Sequence, residues 1–425
     1  MLLAIHFSRK SADFIGYKAF QICFLIFVLL GMTSGVAQSE SVKTPLYVLL
    51  KPEALMEDTS ENLYIKDLTI GDLWKWNGDS QSKITQVSHW GFNAAPLTSP
   101  NGKYIAYQSM PQITIDHLKS DASHGAGMVT GAVPFNLWIL DTQTDEAERI
   151  TEQSPSIHFD LVNTDLVHGI TRSAPAWSPD SSKIAWIEAD SLASMAATDT
   201  NKFVPRLMTY NLATDQTEIV SNHLVLPDYG SPQAGGTAIG DMTPLWGSAG
   251  IVVGYYDSHS TETYALYDLA GNLQQKLNNH NDYSYLNYAW VDDGQNEYLG
   301  LRNAQGWSLY DLKVGKMVAI DGQIEGYSLQ SANGNVLHIN ENNNWEFVAV
   351  NGRSLELSDC FADYTAKVSV ALSSDTEQAA CYQSAENIVS IYNKNGLLTQ
   401  LRLDADTLWG MAWSSMGWRL VRHTH

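Results

Sequence analysis

Histidine and carboxylate residues gather in the segments between the short apolar runs of this chain. Eight of the 12 histidines fall in such segments, and four aspartates lie in or beside them. Imidazole and carboxylate groups together bind divalent cations. No pair has a fixed helical spacing, so solvated loop residues are the competing interpretation. The residues are His89, His117, His124, His158, His168, His223, His259 and His280, with Asp160, Asp165, Asp228 and Asp257.

Three aromatic residues in the same segments are suited to stacking on a sugar or a peptide, although packing between loops is the alternative. Together these observations predict a ligand-binding face, with a divalent cation as the one cofactor that the residues suggest and no metal assigned. The predicted residues are Trp90, His117, His124, His158, Asp160, His168, Asp228, Tyr229, Tyr256 and His259.

Motifs of established catalytic chemistry are missing from the sequence. There is no Gly-x-Ser-x-Gly elbow, no glycine-rich phosphate loop and no cysteine cluster with zinc spacing. The run from Gly247 to Gly250 is typical of a hairpin turn. We therefore assign no catalytic residue, and the sequence favours a non-catalytic role.

The elements that would position these residues are β-hairpins. Ala176-Trp177 and the run from Ile184 to Ile187 are apolar, and the turn between them, Ser178 to Ser182, contains Pro and Asp. We name hairpins with a Pro-Asp-like or an Asn-Gly turn inner. Hairpins in which apolar alternation is broken by a Gly, Asn or Asp turn are named outer. The outer hairpins are 72–86, 136–151, 206–220, 263–277, 307–320, 344–357 and 387–401. The inner hairpins are 95–110, 174–188, 243–257, 286–302, 329–340, 367–383 and 408–421.

The alternation predicts a closed ring. The array opens on outer hairpin 72–86 and closes on inner hairpin 408–421, and pairing these two completes seven four-stranded sheets. Radial repetition of this kind protects sheet edges. We predict an all-β, seven-bladed β-propeller closed by a blade shared between the N- and C-termini, or six blades if the last hairpin is a cap.

Chain direction assigns the connections to two faces of such a ring. Turns within hairpins fall on one face, here named the turn face. Connections between hairpins fall on the other, here named the loop-bearing face. The long segments 111–135, 152–172, 189–205 and 221–242 all belong to the second class. Long loops are disproportionately functional, so the loop-bearing face is the predicted working surface.

Two blades carry a family resemblance. The run from Ala174 to Asp180, continued by Lys183 to Trp186, resembles the TolB-like branch of WD-repeat-like propellers, and the run from Pro96 to Tyr107 matches the same pattern. Asn136 to Asp141 is similar to that family's outer hairpin. The resemblance implies the propeller alone, without the N-terminal α/β domain of TolB.

Charge and the N-terminus indicate an exported acidic protein. Lys and Arg number 25 against 46 Asp and Glu, a net charge of −21 that disfavours nucleic acid and anionic lipid partners.

The N-terminus has the pattern of an export signal. Arg9 and Lys10 precede an apolar run that is too short for a comfortable membrane span, and Ala37 ends a cleavage pattern. We predict a signal peptide at 1–37, a leader at 38–70, the propeller at 71–425 and a periplasmic or extracellular location. An uncleaved anchor is the alternative; after cleavage no membrane insertion is expected.

Cys360 and Cys381 are the cysteines of the predicted mature chain. An even pair in an oxidising compartment favours a disulfide, with two buried thiols as the alternative.

Two functions are compatible with these features. One is a propeller that binds a protein or a glycan. The other is a metal-dependent polysaccharide lyase, because oligogalacturonate lyases are similar rings with a histidine-held metal. The acidic surface argues against the anionic substrate of the second. The oligomeric state is not indicated.

Overall fold

Short antiparallel strands form almost all the regular structure of the computed structural model. It describes residues 46–51, 70–76, 81–84, 92–120, 134–153, 158–159, 167–190, 205–222, 224, 242, 244–256, 262–279, 288–292, 297–303, 306–318, 335–339, 345–349, 354–356, 368–372, 378–384, 386–403 and 407–413.

The strands are numbered in chain order. They are β1 Leu46–Lys51, β2 Asp72–Trp76, β3 Gln81–Lys83, β4 Asn93–Thr98, β5 Tyr104–Ser109, β6 Asn136–Asp141, β7 Ala147–Arg149, β8 His158–Phe159, β9 Val167–His168, β10 Ile170–Arg172, β11 Ala176–Trp177, β12 Lys183–Asp190, β13 Arg206–Asn211, β14 Gln216–Ser221, β15 Leu245–Gly247, β16 Gly250–Tyr256, β17 Glu262–Tyr267, β18 Leu273–Asn279, β19 Tyr288–Asp292, β20 Glu297–Asn303, β21 Gly306–Asp311, β22 Lys316–Val318, β23 Asn335–Ile339, β24 Trp345–Ala349, β25 Ser354–Glu356, β26 Val368–Leu372, β27 Gln378–Gln383, β28 Ile388–Asn393, β29 Gly396–Arg402 and β30 Thr407–Trp413.

These strands form seven sheets of three to five strands, numbered here by their first strand, and one separate pair. Sheet 1 has the order β3-β2-β1-β30, and sheet 2 has the order β4-β5-β6-β7. In sheet 3 both β10 and β11 pair with β12, followed by β13 and β14. Sheet 4 contains β15 to β18, sheet 5 β19 to β22, sheet 6 β23 to β25 and sheet 7 β26 to β29; β8 pairs only with β9. In sheets 2, 3, 4, 5 and 7 the predicted inner and outer hairpins supply successive strands.

Sheet 1 joins the two ends of the described chain. β1 pairs on one side with β2, where Leu46 opposes Trp76, and on the other with β30, where Leu46 opposes Trp413. The predicted closure by a shared sheet is confirmed, but its composition differs from the prediction. The chain start supplies three strands and the chain end one. Because Leu46 to Leu50 are all buried, this run is a central strand rather than part of a separate leader.

The inner turns of sheets 2 and 3 share one hydrogen-bond pattern. In sheet 3 the Ser178 hydroxyl donates to Asp180 Oδ1 at 2.6 Å and accepts from the Lys183 amide at 2.9 Å. In sheet 2 the Ser99 hydroxyl donates to Asn101 Oδ1 at 2.8 Å and accepts from the Tyr104 amide at 3.0 Å. The repeated turn chemistry predicted from sequence is therefore the same structure in both blades.

Neighbouring sheets pack face to face through apolar side chains. The Trp177 ring of sheet 3 stacks on Tyr104 of sheet 2 at 6.1 Å, and its Nε1 donates to Leu97 O at 2.9 Å. Gly247 of sheet 4 lies so close to Trp290 of sheet 5 that a Cβ there would collide with the indole. The inner strand β30 contacts β4 and β26, and β15 contacts β11 and β19. Successive antiparallel sheets of three to five strands with adjacent inner strands define an all-β propeller.

Two of the long connections contain regular structure that the sequence analysis did not predict. Segment 111–135 begins with an α-helix, α1 Gln112–Ser120, and segment 152–172 contains the β8–β9 pair and strand β10. The helix has no strong amphipathic pattern, and the paired strands are two residues long, which explains why sequence periodicity missed them. Most of segments 189–205 and 221–242 lies outside the described residues.

Candidate functional site

The loop-bearing face is built by strand ends. The antiparallel order brings these ends to the same side of neighbouring sheets, which is here named an edge. β5 ends at Ser109 where β6 begins at Asn136, and these two residues are register partners. In sheet 3, Glu188 near the end of β12 pairs with Arg206 at the start of β13. Both positions flank long connections. The edge shared by sheets 2 and 3 therefore carries the bases of several long segments.

Glu188 is the centre of a buried polar group at this edge. Its side chain is only 7% exposed, and both carboxylate oxygens accept hydrogen bonds. Oε2 accepts from Arg172 Nε at 3.0 Å and from Trp186 Nε1 at 3.0 Å, and Oε1 accepts from Arg206 Nη2 at 2.8 Å. We name Arg172, Trp186, Glu188 and Arg206 the Arg206 cluster. A buried carboxylate needs such partners, and here it has three.

Arg172 connects the cluster to sheet 2. Its side chain is 4% exposed. Nη1 donates to Phe135 O at 3.0 Å and to Asn136 Oδ1 at 3.3 Å, while Nη2 donates to Glu152 O at 2.8 Å. The guanidinium thus binds the residues that flank β6 and the chain just after β7. Its role is to hold two neighbouring sheets together at the loop-bearing face.

Two glutamines complete this connection. Gln108 Nε2 donates to Arg172 O at 2.9 Å. Gln153 Nε2 donates to Phe135 O at 3.1 Å and to Ile170 O at 2.8 Å, and its Oε1 accepts from the Ile170 amide at 2.9 Å. These amides satisfy backbone groups where regular pairing ends, so the base of segment 152–172 is fixed by side chains.

Arg206 is the accessible member of the cluster. Its side chain is 32% exposed, whereas Glu188 is 7% exposed. In the described part of the chain its guanidinium makes one hydrogen bond, from Nη2 to Glu188 Oε1. Because one carboxylate faces two guanidinium groups, the cluster carries one net positive charge on a chain of net charge −21.

The sequence analysis missed the Arg206 cluster, although one signal was present. Trp186 and Glu188 stand two residues apart in an apolar strand, and residues at that spacing share a face of a sheet. A carboxylate on a buried strand face requires a cationic partner. The partners themselves lie in other strands, at Arg172 and Arg206, and strand register was needed to find them.

The structure brings together two of the predicted ligand-binding residues. His158 in β8 and His168 in β9 are register partners. His117 lies in α1, and Tyr256 is the last residue of β16. The other predicted positions lie outside the described residues: Trp90, His124, Asp160, Asp228, Tyr229 and His259. Within the described residues no group of three or more His, Cys, Asp or Glu could hold a metal ion.

Carboxylates of the turn face accept hydrogen bonds from their own turns, as Asp180 and Asp141 do, or from a neighbouring sheet, as Asp145 does from Lys75. The hydrogen bond from Ser178, followed by those from the amide and hydroxyl of Ser182, lowers the pKa of Asp180 below its usual value. Asp141 Oδ1 accepts the Gln143 amide at 2.8 Å. These groups stabilise local backbone and leave the turn face without a comparable charge cluster among the residues that the structure describes.

Cys381 is fully buried in β27 and is disulfide-bonded. Its predicted partner, Cys360, lies outside the described residues, so that pairing stays a prediction.

The fold defines the class of protein as a β-propeller, with a polar cluster at the base of its long connections. No protein-family model matches the sequence, and no curated protein matches it either. Solved propellers are similar in fold. TolB from Acinetobacter baumannii is 14% identical, with 81% of this chain and 70% of that chain covered and a TM-score of 0.39.

Two further similar structures are the Swd1 β-propeller domain of Myceliophteria thermophila and an oligogalacturonate lyase in complex with manganese. The first is 10% identical over 75% of this chain and 88% of that chain, with a TM-score of 0.41. The second is 13% identical over 78% and 70%, with a TM-score of 0.36. Such likenesses concern the fold alone. The propeller that the TolB-like and WD-repeat-like resemblance implied is confirmed by the sheet topology of this chain. Across the described residues no helix has the length and apolarity to cross a membrane.

Proposed function

We propose that the chain is an exported, non-catalytic propeller that binds a protein or a glycan through its loop-bearing face. One observation carries this proposal: the strand ends that support the long segments converge on an edge that holds the Arg206 cluster. On the opposite face, the described turns at Asp141 and Ser178 satisfy their own polar groups. These observations favour a binding surface on the loop-bearing face of the ring.

The rigid base of this face supports a binding role. Loops bind with precision when a scaffold fixes their ends. Arg172 and Gln153 fix the chain at Phe135 and Ile170, where two long segments rejoin the sheets. Long segments on fixed ends are the arrangement expected of a recognition surface.

The net charge of the chain favours a neutral or basic partner. A net charge of −21 slows the approach of anions and accelerates that of cations. The proposed partner is accordingly neutral or basic overall, and nucleic acid is not proposed.

Export is part of the proposal. The N-terminal pattern predicts cleavage before Gln38. The disulfide at Cys381 supports an oxidising compartment, because structural disulfides persist there. We propose a periplasmic or extracellular location, which N-terminal sequencing of the mature protein tests: a start at Gln38 supports it, and an intact Met1 contradicts it.

The binding role is tested by loop replacement. Segments 191–204 and 225–241 would each be replaced by short Gly/Ser linkers in the mature protein, and the matched control would carry Lys313→Gln on the turn face. Crosslinking to an envelope or secreted fraction and binding to a glycan array are compared for all proteins. We expect the loop variants to lose partners that the control retains. Equal binding by all of them would refute the working face.

A metal-dependent polysaccharide lyase is the second candidate, and one observation favours it. His158 and His168 are paired in register on β8 and β9 within one long segment. Histidines are common ligands of divalent metal ions, and a bound ion can assist proton abstraction. Elemental analysis after dialysis tests it: a bound divalent metal lost in the His158→Ala, His168→Ala protein but kept in His338→Ala supports a lyase. A metal content unchanged by the double substitution removes it.

A further inference from the structure

We propose that Arg206 binds one carboxylate of a neutral or basic peptide segment presented by the partner. This inference rests on the proposed function and specifies the chemistry of its loop-bearing face. It concerns a residue outside the histidine and aspartate set that the sequence predicted.

Two guanidinium groups share one carboxylate among the described residues of the Arg206 cluster. Glu188 accepts from Arg172, Trp186 and Arg206. Arg172 and Glu188 form the buried pair, and other donors of Arg172 bind Phe135 O, Asn136 Oδ1 and Glu152 O. Arg206 is the more exposed cation of the two.

The open part of Arg206 has the geometry of a carboxylate receptor. One nitrogen, Nη2, donates to Glu188, and the side chain is 32% exposed. Its Nε and Nη1 make no hydrogen bond to the residues that the structure describes. Nη2 carries a second hydrogen, and this hydrogen and the N–H beside it, on Nε or Nη1, form one fork of the planar guanidinium. Such a fork matches the two oxygens of a carboxylate, and the resulting pair is stronger than a hydrogen bond between neutral groups.

Glu188 makes this receptor preorganised. Its Oε1 holds Arg206 Nη2 at 2.8 Å, while Oε2 is fixed by Trp186, which is fully buried. The arginine side chain therefore loses little conformational freedom when a ligand binds, and this raises affinity. Glu188 is a positioning residue in this scheme.

The net negative charge of the chain determines which anionic group Arg206 is expected to bind. A net charge of −21 repels polyanions in proportion to their charge, so a phosphate or an oligouronide pays a larger electrostatic penalty than a lone carboxylate. Basic residues beside that carboxylate are attracted by the same field. A basic or neutral peptide with one Glu, Asp or free C-terminus satisfies both conditions.

The test uses the mature protein and a capped peptide, Lys-Gly-Glu-Gly-Lys, with its Gln analogue as the neutral control. Side-chain Nε resonances of ¹⁵N-arginine-labelled protein report binding, and the Arg206 signal is assigned by its loss in Arg206→Lys. We expect the Glu peptide to shift that signal and to bind roughly ten- to hundredfold tighter than the Gln peptide, from the usual strength of charged hydrogen bonds. Nonspecific attraction to the acidic chain would favour the Gln peptide, since it is the more positive of the two.

Three variants separate recognition from folding. Arg206→Gln should abolish the preference for Glu, Arg206→Lys should retain part of it, and Lys313→Gln on the turn face should leave it unchanged. If Arg206→Gln does not fold, the preference for the Glu peptide is compared between the wild-type protein and Arg206→Lys, and this comparison still tests the inference. Equal binding of the two peptides, or tighter binding of inorganic phosphate or trigalacturonate than of the Glu peptide, would overturn the inference.

Failure of this inference is distinct from failure of the proposed function. If the two peptides bind equally while the loop-replacement variants lose their partner, Arg206 recognition is wrong and the binding face stands. If the loop-replacement variants keep their partner, the binding face itself is wrong.

Discussion

Replacing Arg172 with methionine tests whether the Arg206 cluster holds sheets 2 and 3 together. Arg172→Met keeps the length of the side chain and removes its charge and all of its donors. Glu188 would lose one of three partners, while Asn136 Oδ1 and Glu152 O would lose a donor. Phe135 O would keep its bond from Gln153.

Breaking a buried ion pair by removing one partner destabilises a protein by about 3–5 kcal/mol. Glu188 retains Arg206 and Trp186, so the expected loss lies at the lower end, about 3 kcal/mol in the free energy of unfolding. The matched control is Lys75→Met. The Lys75 ammonium pairs with Asp145 at 3.0 Å, but the side chains are 22% and 40% exposed, so about 0–1 kcal/mol is expected.

Urea unfolding followed by tryptophan fluorescence, with the disulfide intact, measures both variants under the same conditions. The two m-values are compared first, because an equal slope is required for a direct comparison of free energies. An Arg172→Met protein no less stable than Lys75→Met would refute the assigned role of the cluster.

Three further predictions concern packing, titration and the disulfide. Gly247→Ala should destabilise the fold by about 1–3 kcal/mol, read from the same urea curves, because the new Cβ collides with the indole of sheet 5; an unchanged midpoint would contradict the close approach. Ser178→Ala should raise the pKa of Asp180 toward its usual value, measured by carboxyl ¹³C NMR, because Ser178 is the main cause of the lowering. Since that pKa is lowered by folding, Asp180 stabilises the wild type above its unfolded pKa and this contribution is lost as the pH falls through the folded value; an unshifted pKa in Ser178→Ala would contradict the turn geometry. Non-reducing peptide mapping should recover Cys360 linked to Cys381, and a free Cys360 thiol would contradict the predicted pair.

Hairpins were predictable because their signals are local. Ser178, Pro179 and Asp180 specify a turn within five residues, and the hydrogen bonds of that turn involve only neighbouring groups. In the outer hairpin of sheet 2, the Asp141 side chain and the left-handed backbone of Asp145 likewise close the turn. Because these units alternate along the sequence, a ring can be predicted without knowledge of any long-range contact.

The composition of sheet 1 and the Arg206 cluster were not predictable in the same way. Leu46 to Leu50 form a continuous apolar run, which is typical of a doubly covered strand but does not say which strands flank it. Arg172, Glu188 and Arg206 meet because three strands pair in one register. A shift of one residue would turn these side chains to the other face of the sheet, and no local pattern encodes that register.

Both functional proposals depend on a closed ring that places all the long connections on one face. Hydrogen–deuterium exchange at the amides of Leu46–Lys51 tests the closure directly, because β1 is the strand that pairs with β30. We expect strong protection of these amides in the full chain, and its loss when residues 407–425 are deleted. Rapid exchange of β1 in the full chain, or protection unchanged by the deletion, would contradict the closed ring.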